Sequence, residues 1–401
     1  MTGALLFVAV LLLVGVILRL RVPLFRWLYI PASVIAGIVG LTLVQASGTL
    51  SRRLSSSASL PAGGGQLITA QAEQLDAILQ SWTGVLGQWP SFLIAVVFAG
   101  MLLERKPVPI RDSISQVGRQ GLMVWIIVLG QTALGLLATW LLVQPFYDVP
   151  NSVGMLIETG FAGGHGTAAA MGKVYASEVI DFDAGLDLGI LMATCGLVYG
   201  VITGILWINL AIRWGWIAAP ASTATGKRAE PATEMPIGHA KIGSETIDPL
   251  LLQIIWLALA VAVGMAIQSG VAVAAGTIDN VIGNRSGGSD EQQVLASRLS
   301  ATAVLDFPLF IYTLFGGLIV RMALRWAGQE RAVDRDTINR LTSTAMDVLV
   351  VAAITSLNLA AVASLIVPFS ILFVFGAVWS GVCLLVIARV VLPPAYWFPL
   401  G

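Results

Sequence analysis

Residues 158 to 170 read Glu-Thr-Gly-Phe-Ala-Gly-Gly-His-Gly-Thr-Ala-Ala-Ala and lie inside a moderately apolar stretch, residues 155–174, that holds five glycines. A lipid-facing helix does not carry an acid, a histidine and this density of glycine. At membrane depth, irregular backbone is tolerated only where protein or a water-filled cavity satisfies its amides and carbonyls. The stretch therefore predicts a re-entrant, glycine-rich loop, residues 155–174, in a helical membrane protein.

The composition of the whole chain supports a membrane protein. Of its 401 residues, 57% are hydrophobic and 11% are charged, with a mean hydropathy of +0.87. A soluble domain carries about 25% charged residues. The 22 basic and 22 acidic residues cancel, so nucleic-acid binding is not expected. Cys195 and Cys383 lie in apolar runs, which argues against a disulfide framework, and two histidines do not make a multi-histidine metal site.

Apolar runs elsewhere predict nine spanning helices, because about 20 residues cross the hydrocarbon core. They are Leu5–Leu18, Trp27–Val44, Phe92–Leu103, Leu122–Val143, Leu186–Ile212, Leu250–Ile267, Phe307–Val320, Val348–Leu359 and Ala363–Ile387.

Most of the Lys and Arg residues fall on one side of the membrane if the amino terminus is outside and residues 155–174 return to the side from which they enter. Cytoplasmic loops retain basic residues, so this orientation is the predicted one. If residues 155–174 crossed fully, the loop that carries Arg331, Arg335 and Arg340 would face outward.

The second half of the chain repeats the hydropathy pattern of the first half in the opposite orientation. The helix led by Pro31 matches the helix led by Pro308, and Leu93–Gly100 matches Leu349–Ser356. Inverted repeats with interrupted segments are typical of secondary transporters. We predict a first repeat over 1–215 with the re-entrant loop, a cytoplasmic linker over 216–248, and a second repeat over 249–401 that lacks such a loop. Ser51–Gly65 and Gly276–Gly288 are predicted to be flexible linkers on the outer side.

The loop supplies the candidate substrate contacts. Gly163, Gly164 and Gly166 permit positive φ and close ligand approach, and a half-helix that starts near Thr167 would present free amides to a carboxylate. His165 adds a polar edge. We also place Ser33, just after Pro31, among the substrate contacts.

Two further residues of the loop are candidate cation ligands. Glu158 and Thr159 supply oxygens of the kind that sodium favours. Two other interpretations stay open: closely spaced glycines also serve helix packing, and a buried histidine is often a hydrogen-bonded core residue. For Glu158, the alternative to cation binding is a position in water at the outer mouth.

Gly163-Gly164-His165-Gly166-Thr167 resembles the re-entrant loop signature of the bacterial sodium/glutamate symporter family. Ala193–Gly200 is similar to the helix that follows that loop, and Tyr29–Gly37 is similar to the family's broken second helix. The resemblance implies sodium-coupled inward transport of glutamate, two re-entrant loops, a homodimer and an elevator-like motion. Glu158 and Phe161 stand where the family's best-known members have small hydroxyl residues. In addition, the second half has no glycine-histidine loop. The absence of that loop is expected of a carboxy-terminally shortened chain or of a member that works with one loop.

The sequence thus predicts an all-α polytopic secondary transporter in the cytoplasmic membrane, a symporter of sodium with glutamate or a related amino acid or carboxylate, with no cofactor. The alternatives are a transporter of another organic anion and an intramembrane enzyme that uses His165 and Glu158. A channel-like or signalling membrane protein is a third alternative.

Overall fold

The computed structural model describes residues 2–27, 30–56, 64–103, 110–177, 180–214, 249–283, 301–305 and 307–392. Every regular element in these ranges is helical. Nine spans among them are long and apolar enough to cross a membrane. The chain is an all-α, multi-pass membrane protein. The predicted linker 216–248 lies outside the described residues.

The helices follow the predicted apolar runs, and each predicted run overlaps one of the nine spans. In chain order they are α1 (Thr2–Arg21), α2 (Pro23–Trp27), α3 (Ala32–Ser56), α4 (Gly64–Leu86), α5 (Trp89–Leu103), α6 (Ile110–Ala138), α7 (Leu156–Phe161), α8 (Gly164–Tyr175), α9 (Gly185–Arg213), α10 (Pro249–Gly283), α11 (Ala301–Leu305), α12 (Leu309–Trp326), α13 (Arg335–Thr355), α14 (Leu359–Ser364), α15 (Ile366–Val382) and α16 (Ala388–Val391).

Two predicted linkers are wrong in part. α3 continues to Ser56 and α4 begins at Gly64, so both ends of Ser51–Gly65 are helical, and residues 57–63 lie outside the described residues. α10 continues to Gly283, so glycine at position 276 lies inside a helix. Once a helix is nucleated, each further residue adds a backbone hydrogen bond at little cost. This gain outweighs the modest penalty of an isolated glycine.

The first helices of the two halves pair in the same way. Gly15 of α1 packs against Ala36 of α3, and Gly264 of α10 packs against Thr313 of α12. In each pair, one glycine lets two helix backbones approach closely, as small residues do in membrane interfaces. Ala36 is the fifth residue after Pro31, and Thr313 is the fifth residue after Pro308.

Each pair also packs on a helix of the opposite half: α3 packs on α13, and α12 packs on α5. Gly40 of α3 packs against Thr355 of α13, and Gly317 of α12 packs against Ala99 of α5. Gly40 follows Pro31 by the same interval as Gly317 follows Pro308, and Ala99 and Thr355 correspond when Leu93 is matched to Leu349. The two contacts are therefore equivalent between the halves.

α5 and α13 cross each other in antiparallel directions. Gly100 packs against Thr342 at one end of the contact, and Gly87, just before α5, packs against Ser356 at the other. Midway between these contacts lie Leu93 and the buried Leu349. The matched positions of the two halves thus meet at the centre of the crossing.

The packing divides the helices into two bundles. One bundle holds α1, α3, α4, α5, α10, α12 and α13, and the other holds α6, α7, α8, α9 and α15. α8 makes most of the contact between them, against α5 and α13, and α9 adds smaller contacts with α13 and α14. The small side chains of Ala168–Ala170 face Ile94 and Leu349 in this contact.

Candidate functional site

The predicted glycine-rich segment forms a helical hairpin. After a 3₁₀ turn over Asn151–Met155, α7 ends at Phe161, and α8 begins at Gly164. α7 runs antiparallel to α6, because Gly154 packs against Gly135 and Glu158 is bonded to Thr132 farther along. The hairpin turns over Ala162 and Gly163.

The contacts of α7 and α8 with α9 show that the two arms run in opposite directions. Gly160 packs against Met192, and Phe161 packs against Gly196, so α7 runs parallel to α9. α8 then runs antiparallel to α9, with contacts between His165 and Thr194, Ala168 and Gly189, Gly172 and Leu186, and Tyr175 and Gly185. Both arms therefore lie against the first half of α9.

The break between the arms depends on one glycine conformation. Gly164 has φ of +69°, whereas Gly163 has φ of −82° and stays in the right-handed region. A residue with a Cβ pays about 1–2 kcal/mol in the left-handed region. The hydroxyl of Thr167 donates to the carbonyl of Gly163 at 3.0 Å, which satisfies an oxygen exposed by the turn. α8 starts three residues before the predicted start at Thr167.

The amino-terminal turn of α8 lies at the crossing of α5 and α13. Gly166 packs against Ile94 and Met346, next to the centre of that crossing. The first amides of a helix have no partner inside the helix and carry its positive dipole end. The turn could hold an anionic group between the two bundles.

His165 is a buried, hydrogen-bonded residue at this turn. It is 7% exposed, and its Nε2 lies 3.0 Å from Oγ1 of Thr194. Thr194 donates its hydroxyl proton to the carbonyl of Ile190 at 2.9 Å. Nε2 therefore donates to Thr194, which leaves Nδ1 as an acceptor in the neutral ring.

Glu158 and Thr159 face different partners. The hydroxyl of Thr132 donates to the Glu158 carboxylate. Thr159 donates to the carbonyl of Met155 at 2.8 Å and accepts from the hydroxyl of Tyr175 at 2.7 Å, which ties α7 to α8. The two candidate cation ligands are not brought to a common point by these bonds. No described hydrogen bond joins Glu158 to His165.

Ser33 is 2% exposed in the first turn of α3. Its neighbour Val34 shares a core cluster with Ala168–Ala170 of α8. Among the described contacts, none is a hydrogen bond from Ser33 to the hairpin. Ser33 thus lies next to a residue that packs with the middle of α8, while the five residues Gly163–Thr167 form one continuous turn.

A cavity of about 470 Å³ lies beyond the tip of the hairpin, between α6, α9 and α15. Phe161 and Ala162 cover it at the tip, and from there it extends towards the ends of α9 and α16 that carry Arg213 and Arg389. Gly163–Thr167 are not among its described lining residues. Ala162 of the tip lines the cavity, and α8 begins two residues later at Gly164.

Several residues of the site were not predicted from the sequence. Thr132 and Thr194 are bonded to residues of the hairpin, Tyr175 bonds one arm of the hairpin to the other, and Gln131 lines the cavity. Gln131 and Thr132 form a polar pair in the middle of the apolar run of α6, and polar side chains at that depth are functional candidates. That signal could have found two of the four residues.

No protein-family model matches the chain, and no curated protein or solved structure matches it either. The resemblance of Gly163–Thr167 to the sodium/glutamate symporter loop stays a prediction.

Proposed function

We propose that the chain is a secondary transporter that moves glutamate or a related amino acid or carboxylate across the cytoplasmic membrane with sodium as the coupling ion. Glutamate is the solute that the resemblance implies, and a homodimer is the assembly that it implies. The observation that carries the proposal is the place of the hairpin break: it lies where α5 and α13 cross, between the two bundles.

An inverted repeat accounts for the matched contacts of the two halves. The contact of Gly40 with Thr355 and the contact of Gly317 with Ala99 are related by exchanging the halves, as a two-fold axis through Leu93 and Leu349 requires. Such an axis lies in the membrane plane in inverted-repeat transporters, and their binding sites lie near it. The distribution of Lys and Arg supports an amino terminus outside.

The hairpin fits a re-entrant segment whose turn binds the solute. Its arms enter and leave at the same end of α9, so its turn reaches only part of the way through the bundle. The amino-terminal turn of α8 supplies amides for a carboxylate, and His165 offers Nδ1 as an acceptor for an ammonium group. The small side chains of Ala168–Ala170 at the contact between the bundles suit movement of one bundle along the other.

The coupling ion would bind beside the hairpin. The carboxylate of Glu158 and the hydroxyl of Thr132 place two oxygens together between α7 and α6. Thr159 lies one residue away, but its hydroxyl is bonded to Tyr175 and not directed at this pair of oxygens. A sodium ion at Glu158 would neutralise the charge of that carboxylate inside the membrane, so that it would not repel an anionic solute.

Uptake by proteoliposomes tests the proposal. Liposomes that contain the chain are given an inward sodium gradient or an equal potassium gradient, with a panel of labelled solutes: glutamate, aspartate, alanine, tryptophan and succinate. We expect saturable, sodium-dependent accumulation of at least one solute in chemically unchanged form. Uptake of the whole panel no faster than in empty liposomes would contradict the proposal, and a chemically altered solute would favour an enzyme.

A further inference from the structure

The cavity beyond the hairpin tip has the size and form of a solute site. Its volume of about 470 Å³ lies within the range of ligand pockets, roughly 300–1,000 Å³. It begins at Ala162, in the turn that leads into α8. A solute whose carboxylate lies at the start of α8 could extend its side chain past the tip into this space.

The walls of the cavity are apolar and aromatic near the tip. The ring of Phe161 lies 5.8 Å from that of Tyr199 and 5.6 Å from that of Phe373, centroid to centroid. On α9, Gly200 and Gly204 have open space where a side chain would stand. Because glycine has no side chain, these two positions leave room for a bulky group beside the aromatic rings.

The described residues that line the cavity include no Asp, Glu, Lys, Arg or His. Two lining hydroxyls are already engaged, because Tyr199 donates to the carbonyl of Ala377 at 2.7 Å and Ser380 donates to that of Gly376 at 2.8 Å. A carboxylate in such surroundings would lose its hydration without gaining a partner of opposite charge. The side chain of glutamate does not suit this space.

One lining residue is short of a hydrogen-bond donor. Gln131 is 1% exposed, and its Nε2 lies 3.4 Å from Oγ of Ser380. Its Oε1 is buried and has no partner among the described residues. An unpaired buried amide oxygen is costly, so a ligand that brings an N–H or O–H to it would gain affinity.

We infer that the solute is an amino acid or carboxylate with a large aromatic side chain, of the tryptophan or tyrosine type. Its carboxylate lies at the start of α8, its ring fills the cavity against Phe161 and Tyr199, and its ring N–H or O–H donates to Gln131. This inference rests on the proposed function and names the substrate class of the same site.

Binding to the purified full chain in lipid nanodiscs tests the inference, with labelled L-tryptophan, L-glutamate and L-alanine as probes. Gly200→Leu fills the cavity from α9, and Gly204→Leu is a second variant that does the same. Gly270→Leu on α10 is the matched control, because Gly270 also has open space around it. Uptake of the same three solutes is measured in parallel.

We expect tryptophan to bind at least about ten-fold more tightly than glutamate, a difference of about 1.4 kcal/mol. Gly200→Leu or Gly204→Leu should weaken tryptophan binding by a similar factor, and Gly270→Leu should not. Glutamate that binds as tightly as tryptophan, with no effect of either cavity variant, would overturn the inference and leave the transporter intact. Absence of both binding and uptake for every solute would overturn the proposed function, and the inference with it.

Discussion

Gly135→Ala should displace the hairpin from α6. A Cβ on Gly135 would overlap the backbone carbonyl of Gly154 and lie 3.3 Å from its Cα, so no change of side-chain rotamer relieves the contact. Overpacking of this kind costs about 1–3 kcal/mol. Alanine also favours the helix over glycine by about 0.8–1.0 kcal/mol, which partly offsets that cost.

Gly121→Ala on the same helix separates the two effects. Gly121 has open space around it, so the variant gains the helix propensity without the clash. The difference in stability between the two variants should equal the clash alone, about 1–3 kcal/mol, or roughly 1–4 °C in Tm for an unfolding entropy of about 2.1 cal/mol/K per residue. Thermal unfolding in detergent measures it. Equal Tm values for the two variants would refute the packing of the hairpin on α6.

Three further variants test other contacts. Thr194→Val should remove the partner of His165 and lower the stability by about 0.5–1.5 kcal/mol, read from Tm in detergent, with Thr194→Ser as the control that keeps the hydroxyl. Gly40→Val and Gly317→Val should each destabilise by about 1–3 kcal/mol, since both occupy equivalent contacts, and unequal losses of more than about 2 kcal/mol would argue against the symmetry. Tyr175→Phe should cost about 0.5–1.5 kcal/mol and speed proteolysis of the hairpin, and unchanged cleavage by a protease would count against its bond between the arms.

The spanning helices could be predicted because their signal is local. Each is an apolar run long enough to cross the bilayer, and such runs need no knowledge of their neighbours. α4 was missed because its sequence, with Gln71, Glu73, Gln74 and Asp76, is too polar to be such a run. It is stabilised by packing on α3, where Ser47 donates to Asp76 at 3.0 Å.

The hairpin could be predicted as a broken segment, but its internal geometry could not. Three glycines allow positive φ, and the choice of Gly164 depends on how the arms pack against α6 and α9. The partners of Glu158 and His165 come from helices distant in sequence, so no local pattern reveals them. The cavity depends on glycines of α9 that face α6 and α15, which the sequence does not specify.

Sodium-driven uptake by Gly164→Ala tests the central claim, that the hairpin break is the transport site, most directly. A Cβ on Gly164 would meet open space, so this variant changes only the backbone preference of the break. Gly84→Ala is the matched control, because Gly84 also has open space around it and lies on α4. A strain of about 1–2 kcal/mol at the break should reduce the initial rate of uptake about five- to thirty-fold in Gly164→Ala and leave Gly84→Ala at the wild-type rate. Wild-type uptake by Gly164→Ala would contradict the account.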